Sequence, residues 1–128
     1  MQIINYEEIT PDEFIRRINE GQKSFEYVSV EDYDFTLTGM QLDGISFRNC
    51  FININFNNCT FVGSSFIVCN LKCISFENCD LSNCMIDECP VESLAIKDCK
   101  TDTIMFGTNY AYGYTIIPQE GPKFLIQK

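Results

Sequence analysis

The sequence contains no histidine and no tryptophan, and basic residues are few: 9 lysines and arginines stand against 18 aspartates and glutamates. Histidine is the commonest general base and metal ligand, so its absence excludes Cys/His and Ser/His catalysis and any mixed Cys/His zinc site. The net charge of −9 over 128 residues repels phosphates and anionic lipid. We therefore expect no direct nucleic-acid or membrane binding, and a basic protein as partner if the chain acts in either setting.

Long apolar runs are also missing. No stretch approaches the roughly 18 apolar residues of a membrane helix, and the opening MQIINYEEIT carries acids where a signal peptide needs positive charge. These absences predict a cytoplasmic location, in which the 8 cysteines stay free thiols. Apolar residues make up 45% of the chain, which predicts a single folded domain over residues 1–128.

The cysteines show a regular spacing, although no Cys-x2-Cys zinc pair is present. Residues 73–84 read CISFENCDLSNC, and most gaps between cysteines are multiples of five. Residues 54–108 divide into eleven fives whose third position is large and apolar in all but Thr101. The first position is small or aliphatic and is cysteine six times. Neither the helical period of about 3.6 nor the strand period of about 2 produces this pattern.

The fives CDLSN and CNLKC follow, with cysteine for alanine, the repeat A-(D/N)-L-x-x, and over residues 25–108 the chain resembles the pentapeptide-repeat proteins. The resemblance implies an all-β fold: a right-handed, four-sided β-helix of about four coils with twenty residues per coil. Residues twenty apart should then stack at about 4.8 Å. This offset aligns three opposite-charge pairs: Glu77 with Lys97, Asp80 with Lys100, and Lys72 with Glu92.

In this register the repeat cysteines point inward, except Cys73. We interpret them as small apolar core groups and not as metal ligands or disulfides. Cys73 falls in an outward column and is expected to be an accessible but unreactive thiol. Upstream, FTLTG, MQLDG and ISFRN continue the repeat. Residues 50–53 make a repeat of only four residues, one fewer than the others, and this predicts a corner or bulge.

A solenoid needs caps at both ends. Residues 1–24 are predicted as the N-terminal cap, with a helix over 11–20 that Thr10 caps, Glu13 completes as a capping box and Gly21 ends. Residues 109–128 abandon the period and are predicted as the C-terminal cap. Pairing of related proteins through this end implies a homodimer as the alternative. The candidate cap or dimer residues are Tyr110, Tyr112, Tyr114, Phe124 and Leu125.

No catalytic, metal or cofactor site is evident, and we predict that the chain is not an enzyme. One hypothesis is a protein-interaction module, because residues 54–73 carry no acid and present Ile67 and Val68 outward. The resemblance implies a second: an acidic mimic of nucleic acid that inhibits or protects a type II topoisomerase, or blocks a host defence nuclease if phage-encoded. Mimicry requires the outward acids to align on one side with the N-terminal acids. The outward acids that would have to align are Asp87, Glu88, Asp98 and Asp102.

Overall fold

The computed structural model describes residues 5–127 as one parallel β-solenoid, which confirms the predicted fold. Its strands are β1 (Glu7–Ile9), β2 (Ser24–Glu26), β3 (Val28–Thr38), β4 (Ser46–Arg48), β5 (Phe51–Asn57), β6 (Ser65–Ile67), β7 (Ser75–Glu77), β8 (Met85–Asp87), β9 (Ala95–Lys97), β10 (Met105–Phe106), β11 (Asn109–Ala111), β12 (Tyr114–Ile116) and β13 (Ile126–Gln127). Its helices are α1 (Pro11–Asn19) and α2 (Gly121–Leu125). Neither helix is long and apolar enough to cross a membrane within the described range.

Two parallel sheets form opposite sides of the solenoid. One has the order β1-β3-β5-β7-β9-β13 and the other β10-β8-β6-β4-β2. The two remaining sides are held by single bridges, such as Thr60 to Asp80 on one and Pro90 to Tyr110 on the other. The solenoid makes about five turns, not the predicted four, because β1 and the tail add rungs beyond the repeats.

The twenty-residue register holds in the later coils and fails in the earlier ones. Phe76 pairs with Ile96, twenty residues further on. Ser46, by contrast, pairs with Ser24 on one side and Ser65 on the other, so that the first coil has twenty-two residues and the second nineteen. The upstream pattern is looser because the coil length itself varies there.

The short repeat at residues 50–53 does not break its strand. The chain runs through it as β5, and the register shift lies in the opposing strand β3, between Glu31 and Thr36. Three consecutive side chains turn inward here: Ile52, Asn53 and Ile54. The missing residue is thus accommodated by burying an asparagine.

The first and third positions of the repeats fill the core, as predicted. Phenylalanines stack from coil to coil, with ring centroids 4.8 Å apart for Phe47 and Phe66 and 5.2 Å apart for Phe56 and Phe76. All eight cysteines are free thiols; those of the repeats are buried apart from Cys99, which is half-buried, and Cys73, which is exposed. Cysteine fits this position because it acts as a small apolar group in a narrow coil.

Of the three predicted charge pairs, only Lys72 and Glu92 form an ion pair, at 3.1 Å. Glu77 and Lys97 are register neighbours, yet their charged groups stay more than 4 Å apart in the described structure. Asp80 instead accepts hydrogen bonds from the N–H and hydroxyl of Ser82, which together lower its pKa. Register alone therefore does not pair long, solvated side chains.

Helix α1 caps the N-terminal end. The Thr10 hydroxyl accepts the Glu13 N–H at 3.1 Å, and Phe14 inserts into the core against the rings of Phe25 and Phe47. The capping box is only half made, because the Glu13 carboxylate accepts hydrogen bonds from Arg16 and Arg17. Beyond Glu20, Gly21 takes a φ of 91°, which favours glycine and ends the helix.

The C-terminal segment folds back over the other end. Strands β11 and β12 form an antiparallel hairpin, and β13 adds to β9, pairing Ile126 with Ile96. In α2, Leu125 is buried in the core and Gly121 lies against Phe106, where a Cβ would come within 2.7 Å of the ring. The tail therefore covers the edge of the six-stranded sheet.

Candidate partner-binding surface

The corner residue of the repeats between residues 54 and 98, their fifth position, adopts a left-handed backbone. Eleven non-glycine residues of the described chain have positive φ, and asparagines such as Asn58, Asn78 and Asn83 are the commonest among them. Asparagine and glycine tolerate this conformation, whereas a β-branched residue is a genuine outlier. Val68, with φ of 53°, is the one β-branched residue in the set.

Val68 nevertheless projects outward. Its side chain is 42% exposed, and its N–H donates to the carbonyl oxygen of Asp87 at 3.0 Å, so the corner is locked into the solenoid ladder. Ile67, which ends β6, is half-buried beside it. A left-handed backbone costs an L-residue roughly 1–2 kcal/mol. The valine side chain therefore occupies this corner at a loss of stability that asparagine would avoid.

Charged residues of opposite sign flank this pair along the solenoid axis. Arg48 pairs with Ile67 on the side of the N-terminus, and Asp87 pairs with it on the other. Glu88 follows Asp87 at the next corner, exposed and with φ of 55°. With about 4.8 Å per rung, the positions of Arg48 and Asp87 are about 10 Å apart, with Ile67 between them. We call Arg48, Ile67, Val68, Asp87 and Glu88 the Val68 ridge.

The two acids of the ridge differ in what they bind. Asp87 is half-buried, and its Oδ1 accepts the N–H of Thr108 at 2.9 Å. It also fills the space beside Gly107, where a Cβ would lie 1.9 Å from the same oxygen. Asp87 thus helps to hold the last coil, and Glu88 is the carboxylate with more freedom to meet a partner.

The other predicted acids lie elsewhere. Asp98 is an exposed corner residue that follows β9 on the six-stranded sheet. Asp102 is exposed on the next side, after the bridge of Lys100 with Asp80. Asp87 ends β8, on the sheet opposite β9, and Glu88 follows it. The four candidate acids therefore occupy three sides of the solenoid.

The N-terminal acids do not complete a stripe with these four. Glu31, Asp32 and Asp34 are exposed in the irregular part of β3, on the six-stranded sheet. Asp43 belongs to the side that carries Asp102, and its Oδ1 accepts the N–H of Val62 at 2.9 Å. The acidic residues are spread around the solenoid.

The candidate cap residues separate into two groups. Leu125 is buried against the core, whereas Tyr110, Tyr112, Tyr114 and Phe124 expose much of their rings. The Tyr112 hydroxyl lies 2.8 Å from the hydroxyl of Ser93.

Within residues 5–127, no three histidine, cysteine, aspartate or glutamate side chains are grouped so as to hold a metal ion. Burial raises the pKa of both Cys84 and Cys89 to about 12, so these thiols are neutral at physiological pH.

Sequence reasoning missed two buried amides. Asn53 lies in the short repeat, and Asn109 takes the inward position twenty residues after Cys89. The Asn109 Oδ1 accepts the Cys89 N–H at 2.9 Å, and its Nδ2 donates to the Ile86 carbonyl oxygen at 3.0 Å. Extending the twenty-residue offset past residue 108 would have found Asn109.

No protein-family model matches this chain, and no curated protein matches it in sequence. Among solved structures, the fold is similar to HetL, a pentapeptide-repeat protein involved in heterocyst differentiation regulation in the cyanobacterium Nostoc sp.. The superposition has a TM-score of 0.54 at 14% identity and covers 72% of this chain. The chain has the pentapeptide-repeat β-solenoid fold, and the match spans 46% of the length of HetL.

Proposed function

We propose that this protein is a non-catalytic binding module that contacts another protein through the Val68 ridge. The observation that supports this most strongly is the exposed valine held in a left-handed conformation. Strain at a surface position that lacks a structural benefit is typical of residues retained for binding. A rigid solenoid suits this role because it holds such residues at fixed distances.

The ridge defines the chemistry of its partner. An apolar residue would cover Val68 and Ile67, since desolvating both side chains favours association. On either side, an acidic residue would face Arg48 and a basic residue would face Glu88. Charges at the rim of an apolar contact add specificity and speed association more than they add affinity.

Mimicry of nucleic acid is the second function to be tested, and the net charge of −9 is what favours it. The spread of the acids over three sides of the solenoid does not favour mimicry, because a duplex presents its phosphates as continuous rows. A mimic would bind a DNA- or RNA-handling enzyme, and duplex DNA would compete. For either function a reducing, cytoplasmic location fits the eight free thiols.

The test compares capture of proteins from a lysate of the source cells by the wild type, by Val68→Asn and by Val62→Asn. Val62 is the matched control, since it is also outward, at 36% exposure, but lies off the ridge. Val68→Asn should lose the specific partner and also raise the free energy of unfolding by about 1 kcal/mol. Val62→Asn should keep the partner.

Elution separates the two functions. Retention of the partner by Val68→Asn would overturn the ridge as the binding site. Release of a nucleic-acid enzyme by salt and by duplex DNA would favour mimicry, whereas a partner that duplex DNA does not release would favour the ridge.

A further inference from the structure

The C-terminal hairpin, helix α2 and the last full coil enclose a groove of about 490 Å³. Its floor is apolar and buried. The floor residues are Val91, Leu94, Ile116 and Leu125. Its rim carries Tyr112, Tyr114 and Phe124, which are 68%, 74% and 63% exposed. We call this site the tyrosine groove.

The rings of the rim remain available to a ligand. Close aromatic pairs in the described structure lie in the coil core or around Tyr6, and none joins Tyr112, Tyr114 and Phe124. Each of the three rings therefore has a face that no other ring covers. Tyrosine and phenylalanine faces attract cations, because their quadrupole places negative charge there.

A carboxylate lies in the same groove. Glu120 is half-buried, and its Oε1 accepts a long hydrogen bond of 3.4 Å from the N–H of Ile117. Within residues 5–127, no lysine or arginine nitrogen comes within 4 Å of it, although Lys123 is one turn away in α2. A half-buried carboxylate with so little pairing favours a positively charged ligand.

We propose that the tyrosine groove binds an arginine side chain of another protein. A guanidinium stacks flat on aromatic rings and donates two parallel hydrogen bonds to a carboxylate, here Glu120. The methylenes of the arginine would cover the apolar floor. An uncharged apolar ligand fits less well, since it would bury Glu120 without a partner.

This site is independent of the proposed function. The tyrosine groove shares no residue with the Val68 ridge, and it is built from the tail and from Val91, Ser93 and Leu94. A small arginine ligand can bind there whether or not the ridge meets a partner. A failure at one site leaves the other to be judged by its own experiment.

The test is a titration of the ¹⁵N-labelled full chain, followed by amide chemical shifts, with the blocked peptide acetyl-Gly-Arg-Gly-amide. Two peptides of similar length, with citrulline or lysine in place of arginine, serve as ligand controls. We expect saturable shifts confined to the groove, at residues 91–94, 112–116 and 120–125. The citrulline peptide, which is neutral, should have an affinity at least about tenfold lower than that of the arginine peptide. The lysine peptide should also bind more weakly than the arginine peptide.

Three variants locate the binding. Glu120→Gln should weaken binding of the arginine peptide about tenfold, and Phe124→Ala about threefold. Tyr33→Ala is the matched control, because this exposed ring lies among the acids Glu31, Asp32 and Asp34, and it should change nothing.

Several outcomes would overturn the proposal. These are an absence of shifts at millimolar peptide, shifts spread over all acidic sides, equal binding of citrulline or lysine, and unchanged binding by Glu120→Gln. Broadening of the groove signals with protein concentration alone would show that a second copy occupies the groove instead.

Discussion

The side-chain nitrogen Nδ2 of Asn53 lies 3.3 Å from the carbonyl oxygen of Lys72 in the next coil. It also lies 3.4 Å from the carbonyl oxygen of Asn70, whose own Oδ1 accepts the N–H of Lys72 at 3.0 Å. The repeat at 50–53 lacks one residue, and with it one backbone donor. The amide of Asn53 supplies that donor from a side chain.

Replacing Asn53 should therefore destabilise the solenoid by more than its size suggests. Asn53→Asp keeps the shape of the side chain but places a carboxylate against carbonyl oxygens. It should lower the free energy of unfolding by about 3 kcal/mol or more. Asn53→Leu removes the donor and should cost about 1–3 kcal/mol. Chemical denaturation would measure both, with Asn57→Ala, a partly exposed neighbour, as the control. Equal stability of Asn53→Leu and Asn57→Ala would show that the donor is dispensable.

A charge in the phenylalanine stack should unfold the protein. Phe76 is fully buried, and its ring lies 5.2 Å from that of Phe56 and 5.3 Å from that of Phe61. Phe76→Asp buries an unpaired carboxylate and also leaves a large cavity. Together these should lower the free energy of unfolding by more than about 4 kcal/mol, which is roughly the cost of removing a buried aromatic ring alone. Asn78→Asp adds the same charge outside, at an exposed corner that aspartate tolerates. Circular dichroism should show loss of β-structure for Phe76→Asp alone, and a folded Phe76→Asp would refute the assigned register.

Thiol alkylation should distinguish Cys73 from the other cysteines. At pH 8, iodoacetamide should modify the exposed Cys73 first and Cys99 second, because Cys99 is half-buried at the end of its column. A hydrogen bond from Cys79 lowers the pKa of Cys99, so its thiolate is available at this pH. Cys84 and Cys89, with pKa values raised to about 12, should react only after denaturation. Mass spectrometry of Cys73→Ser should then find Cys99 as the first site, and simultaneous labelling of all thiols would contradict this order.

The carboxylates of the N-terminal cap should titrate at unusually low pH. Hydrogen bonds from Arg16 and Arg17 lower the pKa of Glu13 to about 2, and Arg17 alone lowers that of Glu7. Because these pKa values are depressed, their contribution to stability is present above pH 4.5, the ordinary glutamate value, and is lost as the pH falls towards 2. Side-chain carboxyl ¹³C shifts against pH would measure both groups.

Two arginine variants separate these contacts. Arg17→Gln should return the pKa of Glu7 to its ordinary range, whereas Arg16→Gln should affect Glu13 and leave Glu7 unchanged. A Glu7 that titrates normally in the wild type would show that its 2.7 Å contact with Arg17 does not persist in solution.

The sequence predicted the interior of the solenoid well because a narrow coil imposes one rule on every repeat. Inward positions must be apolar and of similar size, so Phe56, Leu71 and Cys79 report the register directly. The asparagines and glycines at the fifth position of the repeats also indicate left-handed corners, which the sequence analysis did not predict. Val68 became significant only once its φ was known.

Features that depend on long-range arrangement could not be read in this way. The twenty-two-residue first coil follows from an irregularity in β3 that carries no repeat signal. Counting five residues per side of the coil along the sequence places Asp87 and Asp98 on opposite sheets. The same count does not predict the contact of Asp87 with Thr108. The tyrosine groove brings Glu120 beside residues some thirty positions earlier, and no period predicts it.

The regular register of the later coils has a consequence for how the molecule could change in length. Residues 56–96 repeat at a step of twenty, with Phe56, Phe76 and Ile96 in one file. Duplicating or deleting one such block would move the two ends apart or together by a single increment of about 4.8 Å and leave both caps unaltered. The distance from Val68 to the tyrosine groove can therefore be lengthened only in whole rungs and not continuously.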